Sequence, residues 1–321
     1  MTYLLLLVGF ALLIKGADFF VEGASNIART LKVSPLLIGL TIVAFGTSAP
    51  EATVSILAAL EGNSDVSVGN VVGSNIFNIT VIVGVTAIIS PLLVDDSIVR
   101  KEIPFTMLGS IVLFVLASDL TLNGSTDNFL TRSDGLVFLA IFSVFMYYIF
   151  EVARHNRTLA TAEPEDTHTS SKPSWGKYIL FTLGGLAAII FGGDLVVTNA
   201  VEIAYSFGMS ETLVGLTIVA VGTSLPELVT SITAARKKES EIALGNLVGS
   251  NIFNIFFVLG TSAVIAPLPV DGNIFTDLYI LIAVTAVLFI FAWSKYKISR
   301  IEGSLLTVAY LVYFVYIIMR G

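Results

Sequence analysis

The sequence predicts an all-α integral membrane protein of ten transmembrane helices, arranged as two inverted five-helix repeats. Three observations carry this reading. The 321-residue chain is 55% hydrophobic and only 13% charged, with a mean hydropathy of +0.90, more apolar than the surface of a soluble domain tolerates. An eleven-residue run, Gly69 to Ile79, returns as Gly245 to Ile255 with Leu247 in place of Val71. The basic residues collect between alternate apolar runs.

The apolar runs are too long and unbroken for membrane strands of ~10 alternating residues, and they suit helices of ~20. They fall near 3–27, 35–60, 67–90, 103–119, 134–152, 177–203, 211–235, 243–266, 276–294 and 303–319. Lys15 and Asp18 interrupt the first, whose clean start resembles a signal-peptide core. No basic residue precedes Tyr3, however, and the equivalent segment with Asp194 lies in mid-chain, so the first run is read as a retained span.

The duplication extends beyond the eleven residues. Gly-Thr-Ser-x-Pro-Glu runs from Gly46 to Glu51 and again from Gly222 to Glu227, at the same offset of 176 that pairs Asp18 with Asp194, Thr41 with Thr217, Pro91 with Pro267 and Asp95 with Asp271. Residues 1–152 form the first repeat, 153–176 a cytoplasmic linker and 177–321 the second repeat. The stretch Arg154 to Lys177 is polar and carries Glu163-Pro164-Glu165-Asp166, which suits a flexible connection.

Short cytoplasmic loops collect Lys and Arg. With the N-terminus outside, the inner connections hold Arg29 and Lys32; Arg100 and Lys101; Arg154, Arg157, Lys172 and Lys177; Arg236, Lys237 and Lys238; and Lys295, Lys297 and Arg300. Three of the 17 basic residues remain: Arg132 and Arg320 outside, and Lys15 within a span. Both termini are therefore expected outside. Each repeat holds an odd number of spans, so the second enters the membrane from the opposite side. Inverted repeats with interrupted helices at matching positions point to a secondary transporter with its site near the midplane.

A net charge of −7 argues against nucleic acid and against a polybasic lipid-binding surface. With no cysteine, disulfides and thiolate metal sites are excluded.

Chemistry concentrates where the repeats agree. Pro50 lacks an N–H and crowds the carbonyl of Gly46, so the second span is expected to kink and free backbone oxygen there; Pro226 does the same to Gly222. Thr47 and Glu51 share a helix face, as do Thr223 and Glu227. Asn70, Ser74 and Asn78 follow at four-residue spacing, as do Asn246, Ser250 and Asn254, while Gly69, Gly73, Gly245 and Gly249 admit a close neighbour.

Carboxylates, hydroxyls and amides together make an oxygen site suited to a hard cation. Glu51 and Glu227 carry a charge of −2 when ionised, which Ca²⁺ neutralises. The two His residues, His155 and His168, lie in the linker, which disfavours zinc. Ser48 and Ser224 serve equally well as ligands or as helix-packing hydroxyls. Asp18, Asp194, Glu22 and Lys15 remain ambiguous, with a Lys15–Asp18 pair as the simpler reading.

The paired motifs, Gly-Thr-Ser-x-Pro-Glu followed by Gly-Asn-x-x-Gly-Ser-Asn-x-x-Asn, resemble the α-repeats of the calcium/cation antiporter superfamily, most closely its prokaryotic sodium/calcium exchanger branch. The resemblance covers nearly the whole chain. It implies a core of spans 2, 3, 7 and 8 around the ions, with spans 1 and 6 sliding across it. Carried onto this sequence, it makes Glu51 and Glu227 the central ligands for Ca²⁺ and Na⁺. Thr47, Ser48, Thr223, Ser224, Ser74 and Ser250 would add oxygens, with the carbonyls of Ala44 and Ala220, while Asn78 and Asn254 fill the positions on spans 3 and 8.

Some relatives, including potassium-dependent exchangers, have Asp where Asn254 stands, which disfavours K⁺ co-transport. Proton-coupled relatives carry Glu where Val71-Val72 and Leu247-Val248 are apolar here. The resemblance thus implies an Na⁺/Ca²⁺ antiporter of the plasma membrane, with exchange of H⁺ for Ca²⁺ or another divalent cation as the alternative and a cation channel less favoured. An enzyme is not expected, because no span holds a His, a Cys or a nucleophile–base pattern. Ca²⁺ and Na⁺ are the expected substrates, with no further cofactor, the bilayer as surroundings and a monomer as the unit.

Overall fold

The computed structural model describes residues 2–62, 64–122, 124, 127–162, 174–208 and 220–320, without the side chains of 64, 65, 159–162 and 220. Ten helical spans are present among them. In chain order, α1 is Thr2–Leu31 and α2 is Pro35–Thr47 followed by Ala49–Leu60. Helix α3 joins Ser64–Phe77 to Val83–Ile89 through a π turn at Asn78–Ile82. Helix α4 joins the π turn Ile98–Glu102 to Ile103–Leu116, and α5 is Arg132–Ala162.

In the second repeat, α6 is Trp175–Ser206, and α7 comprises Ala220–Gly222 and Leu225–Arg236. Helix α8 is Ser240–Ile265, α9 is Gly272–Lys295 and α10 is Arg300–Arg320. Seven of these are long and apolar enough to cross a bilayer unaided, and the bent α2 makes an eighth. The remaining two have simple reasons for falling short. Helix α4 opens with Arg100, Lys101 and Glu102, and the start expected for the seventh span, 211–219, lies outside the described residues.

Burial separates a core from a lipid-facing shell. Helices α8 and α3 bury 94% and 72% of their most apolar stretch, whereas α5 and α10 bury only 17%. The exposed side chains of α1 and α10 are Leu4, Leu7, Phe10, Val312 and their like, as a bilayer permits. Helices α1 and α6 pack along one another at glycines. A Cβ on Gly16 would stand 2.9 Å from the Gly185 carbonyl, and one on Gly192 2.8 Å from that of Gly9. Only glycine allows backbones this close. Gly245 and Gly249 play the same part against α2, where a Cβ would meet the carbonyls of Leu36 and Leu40 at 2.7 Å. Gly69 and Gly73 meet nothing within 4 Å among the described residues.

One expectation is corrected. Helix α5 runs on through Ala162, so the first part of the stretch read as a flexible linker is helical. The Arg154–Glu151 pair at 3.7 Å and the Thr158 bond to the Arg154 carbonyl sit on its surface. The remainder, 163–173, lies outside the described residues. The offset of 176 between the repeats ends before the last span. Strands β1 (Leu92–Leu93) and β3 (Leu268–Pro269) keep it, but β2 (Phe129–Leu130) and β4 (Lys297–Ile298) are 168 apart.

The ladders β1–β4 and β2–β3 reflect each other, Leu92 facing Ile298 and Leu130 facing Leu268. At the same new offset, Thr131 N and Oγ1 donate to Asp134 Oδ2, and Ser299 N and Oγ donate to Glu302 Oε2, at 2.6–2.7 Å. These matched capping arrangements start α5 and α10.

The ambiguous charges in the middle of α1 resolve as surface pairs. Lys15 Nζ lies 3.9 Å from Asp18, Lys237 Nζ donates to the Asp18 carbonyl at 2.6 Å, and Lys177 lies 3.9 Å from Glu22. Asp194, the twin of Asp18, is exposed.

Candidate cation site

Helix α2 breaks at Ser48, where the two pieces meet at 50° and Pro50 stands in the first turn of the second piece. Proline is tolerated there because a first-turn N–H has no helical partner. Helix α7 is interrupted in the same way at Thr223 and Ser224, ahead of Pro226. Each break therefore sets a Glu at the start of a new helix, Glu51 in one repeat and Glu227 in the other, where the helix dipole favours a negative charge. Both side chains are fully buried.

The breaks face one another. Ser48 Oγ donates to Glu227 Oε1 at 2.8 Å, and Ser224 Oγ donates to Glu51 Oε1 at 3.0 Å. Each carboxylate is thus held by the hydroxyl of the opposite repeat. Within each repeat a clamp fixes the neighbouring helix. Asn70 Nδ2 donates to the Glu51 carbonyl (3.2 Å) and Ser55 Oγ (2.9 Å), and Asn246 Nδ2 to the Glu227 carbonyl (3.5 Å) and Ser231 Oγ (3.0 Å).

Thr47 Oγ1 stands within reach of Asn246 Oδ1 (3.0 Å) and of the Val43 and Ala44 carbonyls (3.1 and 3.3 Å). The Ala44 carbonyl also accepts from the Ser48 N–H at 3.0 Å. It is therefore part of the helix as well as a candidate ligand. The counterpart of Thr47, Thr223 Oγ1, is without a partner among the described residues, and the position matching Val43, 219, lies outside them.

The second wall comes from α3 and α8, each carrying a π turn at its Asn: Asn78–Ile82 and Phe253–Leu259. Such turns widen the helix and recur at functional sites. Asn254 Nδ2 donates to Ser74 Oγ and to Asn75 Oδ1, each at 3.2 Å, and Asn78 Nδ2 donates to Asn251 Oδ1 at 3.2 Å. Ser74, Ser250, Asn78 and Asn254 are all buried. The expected face of Asn70, Ser74 and Asn78 is therefore split. Asn70 serves its own repeat, whereas Ser74 and Asn78 reach across to the other.

Among the described residues, the oxygens left without a hydrogen-bond partner include Glu51 Oε2, Glu227 Oε2, Asn78 Oδ1, Asn254 Oδ1, Ser250 Oγ and Thr223 Oγ1. A buried acceptor without a donor costs about 1–3 kcal/mol, more when charged. Six such atoms lie on α2, α3, α7 and α8, and together they are short of positive charge and made of the hard oxygen donors that alkali and alkaline-earth cations take. The site also includes residues that sequence reasoning passed over. Asn75 and Asn251 sit one position beyond Ser74 and Ser250, off the four-residue stripe, and join α3 to α8. Their signal in the sequence was that they too are intramembrane amides present twice.

The sequence model of the Sodium/calcium exchanger protein family matches residues 1–151 and 177–319. The chain belongs to the sodium/calcium exchanger family. Among relatives of this exchanger-family chain, CaxA of Alkalimonas amylolytica is 41% identical over 319 residues, covering 96% of this chain and 95% of its own. The sodium/calcium exchanger MaX1 of Methanosarcina acetivorans is 34% identical over 341 residues, covering 98% and 97%. A solved structure of the sodium-calcium exchanger NCX_Mj aligns with a TM-score of 0.82 at 31% identity over 98% of both chains. The ten-helix inverted repeat of the family is the fold of this chain.

Proposed function

We propose that this exchanger-family chain is a secondary antiporter that passes Na⁺ one way and Ca²⁺ the other across the plasma membrane, binding them in turn at the midplane site. The observation that carries the reading is the reciprocal pair Ser48–Glu227 and Ser224–Glu51. It gives two buried carboxylates, each with one oxygen satisfied by the other repeat and one left for a cation.

Glu51 and Glu227 act as the charged ligands. Thr47, Ser48, Thr223, Ser224, Ser74, Ser250, Asn78 and Asn254 supply neutral oxygens, joined by the carbonyls of Ala44 and Ala220. Two uncompensated carboxylates in low dielectric repel each other, so the site favours one Ca²⁺ or several Na⁺ over no cation at all. Occupation by one ion type excludes the other, which is the physical basis of exchange.

Helices α1 and α6, locked together at Gly9, Gly16, Gly185 and Gly192, move as a unit across the core and open the site to one side at a time. Both termini lie outside, following the distribution of Lys and Arg. The chain works as a transporter and not as an enzyme, and a single copy contains the whole site. Sodium is favoured over protons as the coupling ion because Asn78 and Asn254 are neutral amides that do not titrate.

Proteoliposomes loaded with Na⁺ and diluted into Na⁺-free buffer test this reading, with accumulation of labelled Ca²⁺ as the expected result. Uptake that ignores the Na⁺ gradient and follows a pH gradient would overturn the choice of ion. Currents far above carrier turnover, without a counter-ion, would identify a channel. Normal flux in Glu51→Gln or Glu227→Gln would remove the site assignment.

A further inference from the structure

An asparagine side chain has two unlike ends. Its carbonyl oxygen ligates a cation, while its NH₂ group repels one, so an amide in a cation site must be held the right way round. At Asn254 the NH₂ group is fully occupied: its two protons meet two acceptors, Ser74 Oγ and Asn75 Oδ1. At Asn78 the NH₂ group donates to Asn251 Oδ1. In both residues Oδ1 is left buried and without a partner among the described residues. A flip of Asn254 would set its Oδ1 against Asn75 Oδ1, acceptor against acceptor. Asn75 is itself held, because its own Nδ2 donates to the Asn251 carbonyl at 3.3 Å. Asn75 and Asn251 are 0% and 2% exposed, so water does not substitute for either contact.

We infer that Asn75 and Asn251 are positioning residues, each turning the amide oxygen of the opposite repeat's Asn, at 254 and 78 respectively, toward the transported cation. The inference rests on the site reading given above. Neither residue touches the ion; each acts through the amide it holds. The need arises from this chain's own choice of side chains. A carboxylate presents oxygen at both ends and needs no such orienting, whereas the neutral Asn254 does. Because each orienting group belongs to the other repeat, the aim of both oxygens depends on how α3 and α8 pack together.

The test is a double-mutant cycle on Na⁺-gradient-driven Ca²⁺ uptake in proteoliposomes of the full chain. Asn75→Ala is expected to raise the KM for Ca²⁺ about tenfold, as befits one mis-set ligand, with kcat within about twofold. In an Asn254→Ala background the same substitution is expected to change KM by less than about twofold, since the amide it orients is gone. Asn251→Ala with Asn78→Ala forms the mirror cycle and carries the test if the first pair folds poorly.

A general packing role predicts the opposite, a full and additive penalty in the alanine background, and that result overturns the inference, as does an unchanged KM in Asn75→Ala and Asn251→Ala. Glu51→Gln, run beside them, separates the two levels. Normal transport in that variant sinks the site reading itself, whereas an inactive Glu51→Gln beside additive asparagine effects sinks only the positioning role.

Discussion

Ser48 of the first repeat donates its hydroxyl proton to Glu227 of the second at 2.8 Å, and the relationship returns with the repeats exchanged, Ser224 to Glu51 at 3.0 Å. Hydrogen bonds to charged groups contribute about 1.5–3 kcal/mol, and removing a donor leaves a buried carboxylate oxygen exposed to nothing that satisfies it. Ser48→Ala and Ser224→Ala are each expected to lower kcat/KM for Ca²⁺ by about tenfold or more, and by similar factors. A large effect in one serine and none in the other, measured by gradient-driven uptake, would contradict the reciprocity.

Bound cations should stabilise the protein through the same carboxylates. Saturating Ca²⁺ at a hundred times its Kd adds about 2.7 kcal/mol by mass action. The apparent melting temperature in detergent is therefore expected to rise with Ca²⁺ and fall back with chelator. Glu51→Gln and Glu227→Gln should fold yet lose most of this shift. A shift that survives in both would locate the stabilising ion elsewhere.

Adjacent glycines in α6 have opposite tasks. A Cβ on Gly185 would stand 2.5 Å from the Phe20 N, whereas one on Gly184 meets nothing within 4 Å. Gly185→Ala is expected to destabilise by about 1–3 kcal/mol through overpacking. Gly184→Ala should be neutral or stabilising by up to about 1 kcal/mol, because alanine favours helix. Thermal unfolding of the two variants, side by side, checks the sign of each.

Arg320 makes a bidentate pair with Asp277, both bonds at 3.0 Å, tying the end of α10 to α9. The Asp277 side chain is only 7% exposed, so Arg320→Ala strands a buried carboxylate and is expected to cost about 3 kcal/mol. Arg100 and Asp96, paired at 2.7 Å, are 69% and 61% exposed. Arg100→Ala should therefore change stability by less than about 1 kcal/mol. Equal losses in the two variants would contradict this difference in burial.

The cap on α5 offers a local check. Thr131 holds Asp134 at 2.6 Å in front of the first turn, so Thr131→Ala is expected to cost about 1 kcal/mol, as is Ser299→Ala at the matched cap of α10. Hydrogen exchange at the start of α5 should quicken in the first variant and leave α10 unchanged.

Much of this protein was written in its sequence. Apolar run length marked the spans and the twice-written motif pointed to Glu51, Glu227 and the hydroxyls beside them, because these signals lie within a few residues of one another, while Lys and Arg supplied an orientation that stays a proposal. Three things were not local. The break falls at Ser48, two residues before the proline that marks it, because a first-turn proline costs the new helix nothing. The last span of each repeat keeps its symmetry at an offset of 168, hidden by the unequal loops before β2 and β4 and visible only where matched caps and ladders form.

The pairing of Ser48 with Glu227, and of Asn75 with Asn254, joins residues 179 apart in the chain. A one-dimensional pattern fixes which side chains are costly to bury, since that cost belongs to each residue and its helix. Which oxygen meets which donor, and so which oxygens are left for a cation, was decided only by packing two inverted repeats against each other.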